Sequence, residues 1–123
     1  MSKVTVLIVE DNELNRRLFA DLLATRGFEV REVSDGSVAL SEVQKSVPDL
    51  ILMDIQLPNV SGLDVTAQIR ALPNIKQPKI IAVSAFAMKQ DATKALQAGC
   101  DDYISKPIAI TSFFEAIDRV LKA

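Results

Sequence analysis

The chain has 123 residues, of which 49% are hydrophobic and 24% are charged, as is typical of one globular domain with a single core. The formal net charge of −2 predicts no nucleic-acid-binding surface. The apolar runs are too short for membrane insertion, and Met1-Ser2-Lys3 leads into a strand-like run without the apolar region of a secretory signal. The single cysteine, Cys100, excludes an internal disulfide and fits a reducing compartment. We therefore expect a cytoplasmic protein.

Short β-rich apolar runs alternate with helical patterns from the start of the chain. A first strand is predicted at 4–9 and a first helix at about 13–26. Leu14, Leu18 and Leu22 follow the i, i+4, i+8 spacing, which predicts that they form the apolar stripe of this helix.

The middle of the chain continues the alternation. A more polar strand is predicted at 28–33. The next helix is marked by four apolar residues, Ala39, Leu40, Val43 and Val47. Pro48 stops this helix, and the following apolar strand runs without a break into Asp54. Ser61 is predicted to cap the third helix, with Asp64 as its reciprocal partner.

The last third of the chain repeats the pattern twice more. A strand is predicted at 79–83, an alanine-rich helix at about 88–98 that ends at Gly99, and a short strand at 101–105. The apolar face of the final helix is formed by Phe113, Ile117, Val120 and Leu121.

Five strands and five helices in strict alternation predict an α/β fold, a doubly wound (βα)5 parallel sheet with helices on both faces. The runs 4–9, 49–53 and 79–83 are almost wholly apolar, as expected of central strands, so the polar strands 28–33 and 101–105 should be edges. This favours the flavodoxin-like order 2-1-3-4-5, with a ligand crevice beyond the carboxyl ends of strands 1 and 3.

Polar side chains follow the predicted strands where they end: Glu10, Asp11, Asp54, Ser84 and Lys106. Two carboxylates about 4 Å apart repel by 4 kcal/mol at an effective dielectric near 20, so three of them together call for a cation. Oxygen ligands from a few carboxylates suit Mg²⁺, and the chain contains no histidine for a zinc site.

An ionised carboxylate beside a metal is a nucleophile for phosphoryl groups. We therefore expect Asp54 to be exposed at its strand end, where a phosphoryl donor reaches it. Mg²⁺ and Lys106 would neutralise the charge of the transferred group, and the Ser84 hydroxyl would hydrogen-bond the product phosphate.

Four segments, "IVEDNELN", "DLILMDIQLPNVSG", "AVSAFAM" and "AGCDDYISKP", together resemble the receiver domain of two-component response regulators along the whole chain, 1–123. The wording "VEDNELN", "DIQLP" and "AFAMK" is most similar to stand-alone cell-cycle regulators of the DivK type. The resemblance implies that Asp54 accepts phosphate from a histidine kinase or histidine phosphotransferase. It also implies a Mg²⁺ site made by Asp11, Asp54 and the backbone carbonyl of Gln56, with Glu10 serving the site directly or through water.

By the same resemblance, Lys106 pairs with the phosphate and forms a cis peptide with Pro107, while Ser84 and Tyr103 are the switch residues. The protein would be a monomeric phosphorylation switch and not a turnover enzyme. It would have no output domain and would contact a downstream protein through helix 4, strand 5 and helix 5. The acidic pair is Glu-Asp and not the commoner Asp-Asp, which allows a water-mediated metal contact for Glu10. Ser84 stands where threonine is frequent and Gln56 stands where the phosphate lifetime is tuned, and both leave the hydrolysis rate open.

Two other functions fit the same fold class. A haloacid-dehalogenase-like phosphatase needs an aspartate two residues after its nucleophile, whereas Gln56 stands there, and it also needs a cap domain. A flavodoxin-like FMN binder needs a Ser/Thr/Gly-rich phosphate loop after strand 1, whereas "EDNELN" is acidic.

Overall fold

The computed structural model describes residues 3–58, 60–85 and 89–122, without the side chains of Lys89 and Gln90, so much of "AFAMK" lies outside the described residues. The strands are β1 (Thr5–Val9), β2 (Glu29–Val33), β3 (Leu50–Asp54), β4 (Lys79–Ser84) and β5 (Asp102–Ser105). The helices are α1 (Glu13–Thr25), α2 (Gly36–Lys45), α3 (Gly62–Arg70), α4 (Lys89–Ala98) and α5 (Ile110–Lys122). None of these helices has the length and apolar character needed to span a membrane.

The strands form one parallel sheet in the order β2-β1-β3-β4-β5. This confirms the predicted doubly wound fold with strand order 2-1-3-4-5. Every residue of β3 is buried, while β2 and β5 carry partly exposed residues, so the apolar strands are central and the polar ones are edges. An apolar strand gains most where helices cover both of its faces.

Alternation along the strands sends successive side chains to opposite faces of the sheet. In β3, Leu50 and Leu52 join one core, which α1 and α5 cover, whereas Ile51 and Met53 join the other. The second core is covered by apolar residues of α2, α3 and α4, which are Ala39, Val43, Val65, Ile69 and Ala95.

The apolar stripe predicted for α1 is wrong for its first two members. Leu14 is 81% exposed and Leu18 is 46% exposed, whereas α1 buries Phe19 and Leu23. The Phe19 ring stacks on Phe113 of α5, with ring centroids 5.8 Å apart. Both pairs have the same i, i+4 spacing, so periodicity defines a helical face without deciding which face meets the sheet.

The helix ends differ from the predictions in two places. Helix α2 ends at Lys45, so Val47 follows the helix and packs against the core from the connecting loop. Ser61 caps α3 as predicted, but its Oγ accepts a hydrogen bond from the Leu63 N–H at 3.1 Å. This bond goes to the second helical residue, one position before the Asp64 of the predicted reciprocal pair.

Candidate functional site

Three acidic side chains meet at the carboxyl ends of β1 and β3, which are neighbours in the sheet. Glu10 and Asp11 follow β1 directly, and Asp54 is the last residue of β3. One carboxylate oxygen from each residue can be chosen so that all three lie within 4.8 Å of one another. The structure therefore brings together the acidic cluster, Glu10, Asp11 and Asp54, that the strand ends predicted.

The burial of this cluster corrects one expectation. Asp54 was expected to be exposed, but it is only 3% exposed and Glu10 only 1%, so Asp11 is the exposed member. Asp54 is still within the sheet, paired in register with Val83 of β4. The following turn also folds back, because the Gly62 N–H donates to the Ile55 carbonyl at 3.0 Å.

Lys106 brings a positive charge into the acidic cluster, as predicted. It follows β5, and its Nζ lies 2.9 Å from Oε1 of Glu10 and 3.7 Å from Oδ2 of Asp54. Its backbone N–H donates to the Ser84 carbonyl at 2.7 Å, which ties it to the end of β4. The peptide between Lys106 and Pro107 is cis, as the resemblance implied.

The electrostatic state of Glu10 shows how crowded the negative charge is. Burial, followed by the side-chain contact with Asp54, raises the pKa of Glu10 from 4.5 to about 7, although Lys106 acts in the opposite direction. Its Oε1 lies 2.9 Å from Nζ of Lys106. Burying a carboxylate without a positive partner is unfavourable, and Lys106 offsets only part of that cost, since the pKa of Glu10 stays raised.

The donor set fits a hard divalent cation. Glu10, Asp11 and Asp54 offer carboxylate oxygens that converge within one cluster, and the ammonium of Lys106 is 2.9 Å from only one of these oxygens, Oε1 of Glu10. The second oxygen of Asp54, Oδ1, accepts from the Gln56 N–H at 3.0 Å, which orients the carboxylate. Carboxylates with room for water are the ligands that Mg²⁺ prefers.

The two predicted switch residues lie on strands next to this cluster. Ser84 ends β4 and is buried, one residue beyond the Val83 that pairs with Asp54. Tyr103 lies in β5 opposite Ala82 and packs, partly buried, against the core on the α2–α4 side of the sheet. It is therefore placed beside the cluster and not within it.

Sequence reasoning missed Arg16. Its Nη1 donates to the backbone carbonyl of Glu10 at 3.0 Å, and its Nε lies 3.3 Å from Oε1 of Glu32. The available signal was an arginine in the first turn of a helix that begins two residues after an acidic pair. Such an arginine is equally consistent with a solvated charge on the helix surface, because its contact with Glu10 forms only in the folded chain.

Known proteins resemble this chain over nearly its full length. A family model described as the response regulator receiver domain matches residues 6–118. The polar-differentiation response regulator DivK of Brucella anthropi is 49% identical over 117 residues, which are 95% of this chain and 95% of DivK.

Two solved structures are similar to this chain in fold. The receiver domain of a Pseudomonas aeruginosa sensor histidine kinase, with a magnesium ion coordinated in its active site cleft, has a TM-score of 0.89 and 34% identity, covering 99% of this chain and 100% of that one. A chain in the co-crystal of the Saccharomyces cerevisiae phosphotransfer protein Ypd1 with the receiver domain of Ssk1 has a TM-score of 0.87 and 30% identity, covering 96% and 88%. The acidic cluster thus stands in a chain that belongs to the response regulator receiver family and is similar to regulators of the DivK type.

Proposed function

We propose that this protein is a two-component signalling switch in which Asp54 accepts a phosphoryl group from a histidine kinase or a histidine phosphotransfer protein. The observation that carries the proposal is the placement of Asp54 between two other carboxylates and the ammonium of Lys106. Receiver-family membership, the similarity to DivK, and the Ypd1–Ssk1 co-crystal support the choice of donor.

The transfer exchanges one bond to phosphorus for another. A carboxylate oxygen of Asp54 attacks the phosphorus of phosphohistidine, and the phosphorus–nitrogen bond breaks with its electron pair going to the imidazole. The Gln56 N–H orients the attacking carboxylate, and the Lys106 ammonium offsets the negative charge that the phosphoryl group brings.

In this proposal Mg²⁺ is held by Asp11, Asp54 and the Gln56 backbone carbonyl, with Glu10 acting directly or through water. When bound, the ion neutralises charge on the oxygens of the transferring group. The convergence of three carboxylates supports this ligand set, as does the magnesium described in the Pseudomonas receiver.

The proposed output is contact with a downstream protein and not turnover of a substrate. In this proposal a phosphate on Asp54 draws in Ser84, Tyr103 repacks, and the surface of α4, β5 and α5 changes. A cleft of about 270 Å³ lies between β5 and α5 on this surface, with Tyr103, Ser105 and Pro107 among its lining residues. The proposed unit is a monomer in a cytoplasmic, cell-cycle phosphorelay of the DivK kind, with the whole of 1–123 as one receiver domain.

The phosphoacceptor assignment is tested by labelling with acetyl phosphate and Mg²⁺, read by intact mass. Wild type should gain one phosphoryl group, and chelation of Mg²⁺ should suppress it. Asp54→Asn should gain none, because the amide is not a nucleophile for phosphorus. Asp21→Asn, which removes an exposed carboxylate from α1, should label like wild type. Undiminished labelling of Asp54→Asn would refute the assignment.

A further inference from the structure

Arg16 connects the acidic cluster to the edge of the sheet. Its side chain is 19% exposed, and its guanidinium bridges two groups: the Glu10 carbonyl at 3.0 Å and the Glu32 carboxylate of β2 at 3.3 Å. The planar fork of arginine can hold two such acceptors at once.

The carbonyl that Arg16 holds belongs to the peptide that joins Glu10 to Asp11. On its other side, the Glu10 N–H donates to the Val33 carbonyl of β2 at 3.1 Å. The Glu10 backbone is therefore held through both of its polar groups, and β2 anchors both attachments. Since this backbone carries two of the three carboxylates of the cluster, the position of both depends on it.

Two effects of the Arg16 charge have opposite signs. A positive charge near a cation site repels a divalent ion and weakens its binding. A hydrogen bond that fixes the ligand-bearing peptide strengthens binding, because the ligands do not have to be ordered when the ion enters. If removing Arg16 weakens Mg²⁺ binding, the positioning effect dominates; if it strengthens binding, the charge effect dominates.

A purely structural role for Arg16 would be the attachment of α1 to β2. Ion pairs at partly exposed sites contribute little to stability, and the side chain of Glu32 is 41% exposed. The more strongly constrained contact is with the Glu10 carbonyl, which leads directly to the acidic cluster.

We propose that Arg16 is a positioning residue for the divalent-cation site: by holding the Glu10 carbonyl, it fixes the Glu10–Asp11 peptide in the geometry that binds the ion. This rests on the proposed function only in requiring a Mg²⁺ site at the acidic cluster. It does not require that Asp54 accept phosphate.

The test is calorimetric titration of folded, unphosphorylated protein with MgCl2. Arg16→Met should weaken Mg²⁺ binding about tenfold, the lower end of the range for residues that orient metal ligands. Arg17→Met removes the same charge from an exposed neighbouring position and should leave the affinity unchanged or slightly tighter. Asp11→Ala, which removes a proposed ligand, gives the scale for a direct loss.

Arg16→Lys keeps the charge but replaces the fork with a single ammonium. It should bind Mg²⁺ with an affinity between wild type and Arg16→Met, and it covers the case in which Arg16→Met folds poorly. In the metal-free protein, the amide resonances of Asp11 and Asn12 should move in both Arg16 variants and stay in place in Arg17→Met.

The outcomes separate the two proposals. Wild-type affinity in both Arg16 variants, or tighter binding in Arg16→Met, would overturn the positioning role while leaving Asp54 labelling intact. Weakened binding in the Arg16 variants together with no labelling of wild type would support the positioning role and remove the phosphoacceptor. Failure of wild type to bind Mg²⁺ would remove the metal site and the positioning role together.

Discussion

Glu10 and Lys106 show how single residues balance charge in the site. The ammonium lies nearer to Glu10, at 2.9 Å, than to Asp54, at 3.7 Å. Yet the pKa of Glu10 is raised to about 7, first by burial and then by Asp54. The single ammonium of Lys106 therefore offsets only part of the cost of burying these carboxylates.

Gly62 sets the position of Asp54, the proposed phosphoacceptor, through its lack of a side chain. A Cβ at this residue would overlap the carbonyl oxygen of Asp54 and lie 2.9 Å from its carbonyl carbon. Both atoms are backbone, so relief requires β3 or α3 to move. We expect Gly62→Ala to lower stability by about 1–3 kcal/mol and to slow labelling of Asp54 by acetyl phosphate.

The matched control for this substitution is Gly27→Ala. Gly27 has a φ of +78° with no atom within 4 Å of an added Cβ, so alanine there costs about 1–2 kcal/mol through backbone strain alone. Urea unfolding should show a loss for both variants, whereas only Gly62→Ala should label slowly. Equal labelling rates in the two folded variants would contradict the role of Gly62.

At the residue scale, the strand ends were sufficient to predict which side chains meet. Glu10, Asp54 and Lys106 follow parallel strands, whose carboxyl ends share one edge. Burial of Asp54 was not predictable, because it depends on how the turn after β3 folds back. The contact of Arg16 with the acidic cluster was not predictable either, because its partner is a backbone carbonyl, which the pattern of side chains does not reveal.

At the scale of elements, α1 shows the limit of periodicity. Phe19, which forms an i, i+4 pair with Leu23, is buried, whereas Leu14, which forms an i, i+4 pair with Leu18, is exposed. We expect Phe19→Ala to lower the free energy of unfolding by about 3–5 kcal/mol, since it leaves a cavity against Phe113. Leu14→Ala should change it by less than about 0.5 kcal/mol. Urea unfolding of both variants measures this, and comparable losses would show that α1 packs through its other face.

The cap of α2 gives a pH dependence that belongs to one helix. Asp35 accepts from the Ser37 N–H and the Ser37 hydroxyl, each at 2.9 Å, and these bonds lower the pKa of Asp35 below its ordinary value of 3.8. A lowered carboxyl pKa stabilises the folded state above the unfolded value, and that contribution disappears as pH falls through the folded pKa.

Asp35→Asn isolates this charge, because asparagine is as good a cap but does not titrate. We expect wild type to exceed Asp35→Asn in urea midpoint near neutral pH, since an anion is favoured at a helix N-terminus. The difference should persist to about pH 4 and shrink as the pH falls further. A difference that stays constant down to about pH 3 would mean that the Asp35 charge does not stabilise α2.

At the scale of the whole molecule, the fold was predictable because the polarity of each strand indicates whether it is central or at the edge of the sheet. The fully apolar β3 has to be central, and the polar β2 and β5 have to be edges, which leaves few orders for a right-handed parallel sheet. The same order puts β4 between the acidic cluster and Tyr103, and Lys106, which follows β5, is a second link from Asp54 to that edge.

A phosphorylation switch of the proposed kind has a free-energy requirement that one residue cannot meet alone. Shifting a two-state equilibrium from 1:99 to 99:1 takes about 5.5 kcal/mol, whereas one hydrogen bond to a charged group contributes about 1.5–3 kcal/mol. The hydrogen bond of Ser84 alone therefore supplies too little free energy, and Lys106 has to contribute.

We expect Ser84→Ala to accept phosphate at Asp54, but its conformational equilibrium should shift only partway. The measurement is the backbone NMR spectrum of α4 and β5 with and without a phosphate mimic. Ser112→Ala, which removes an exposed hydroxyl from α5, should shift fully; a full shift in Ser84→Ala would mean that the signal bypasses Ser84.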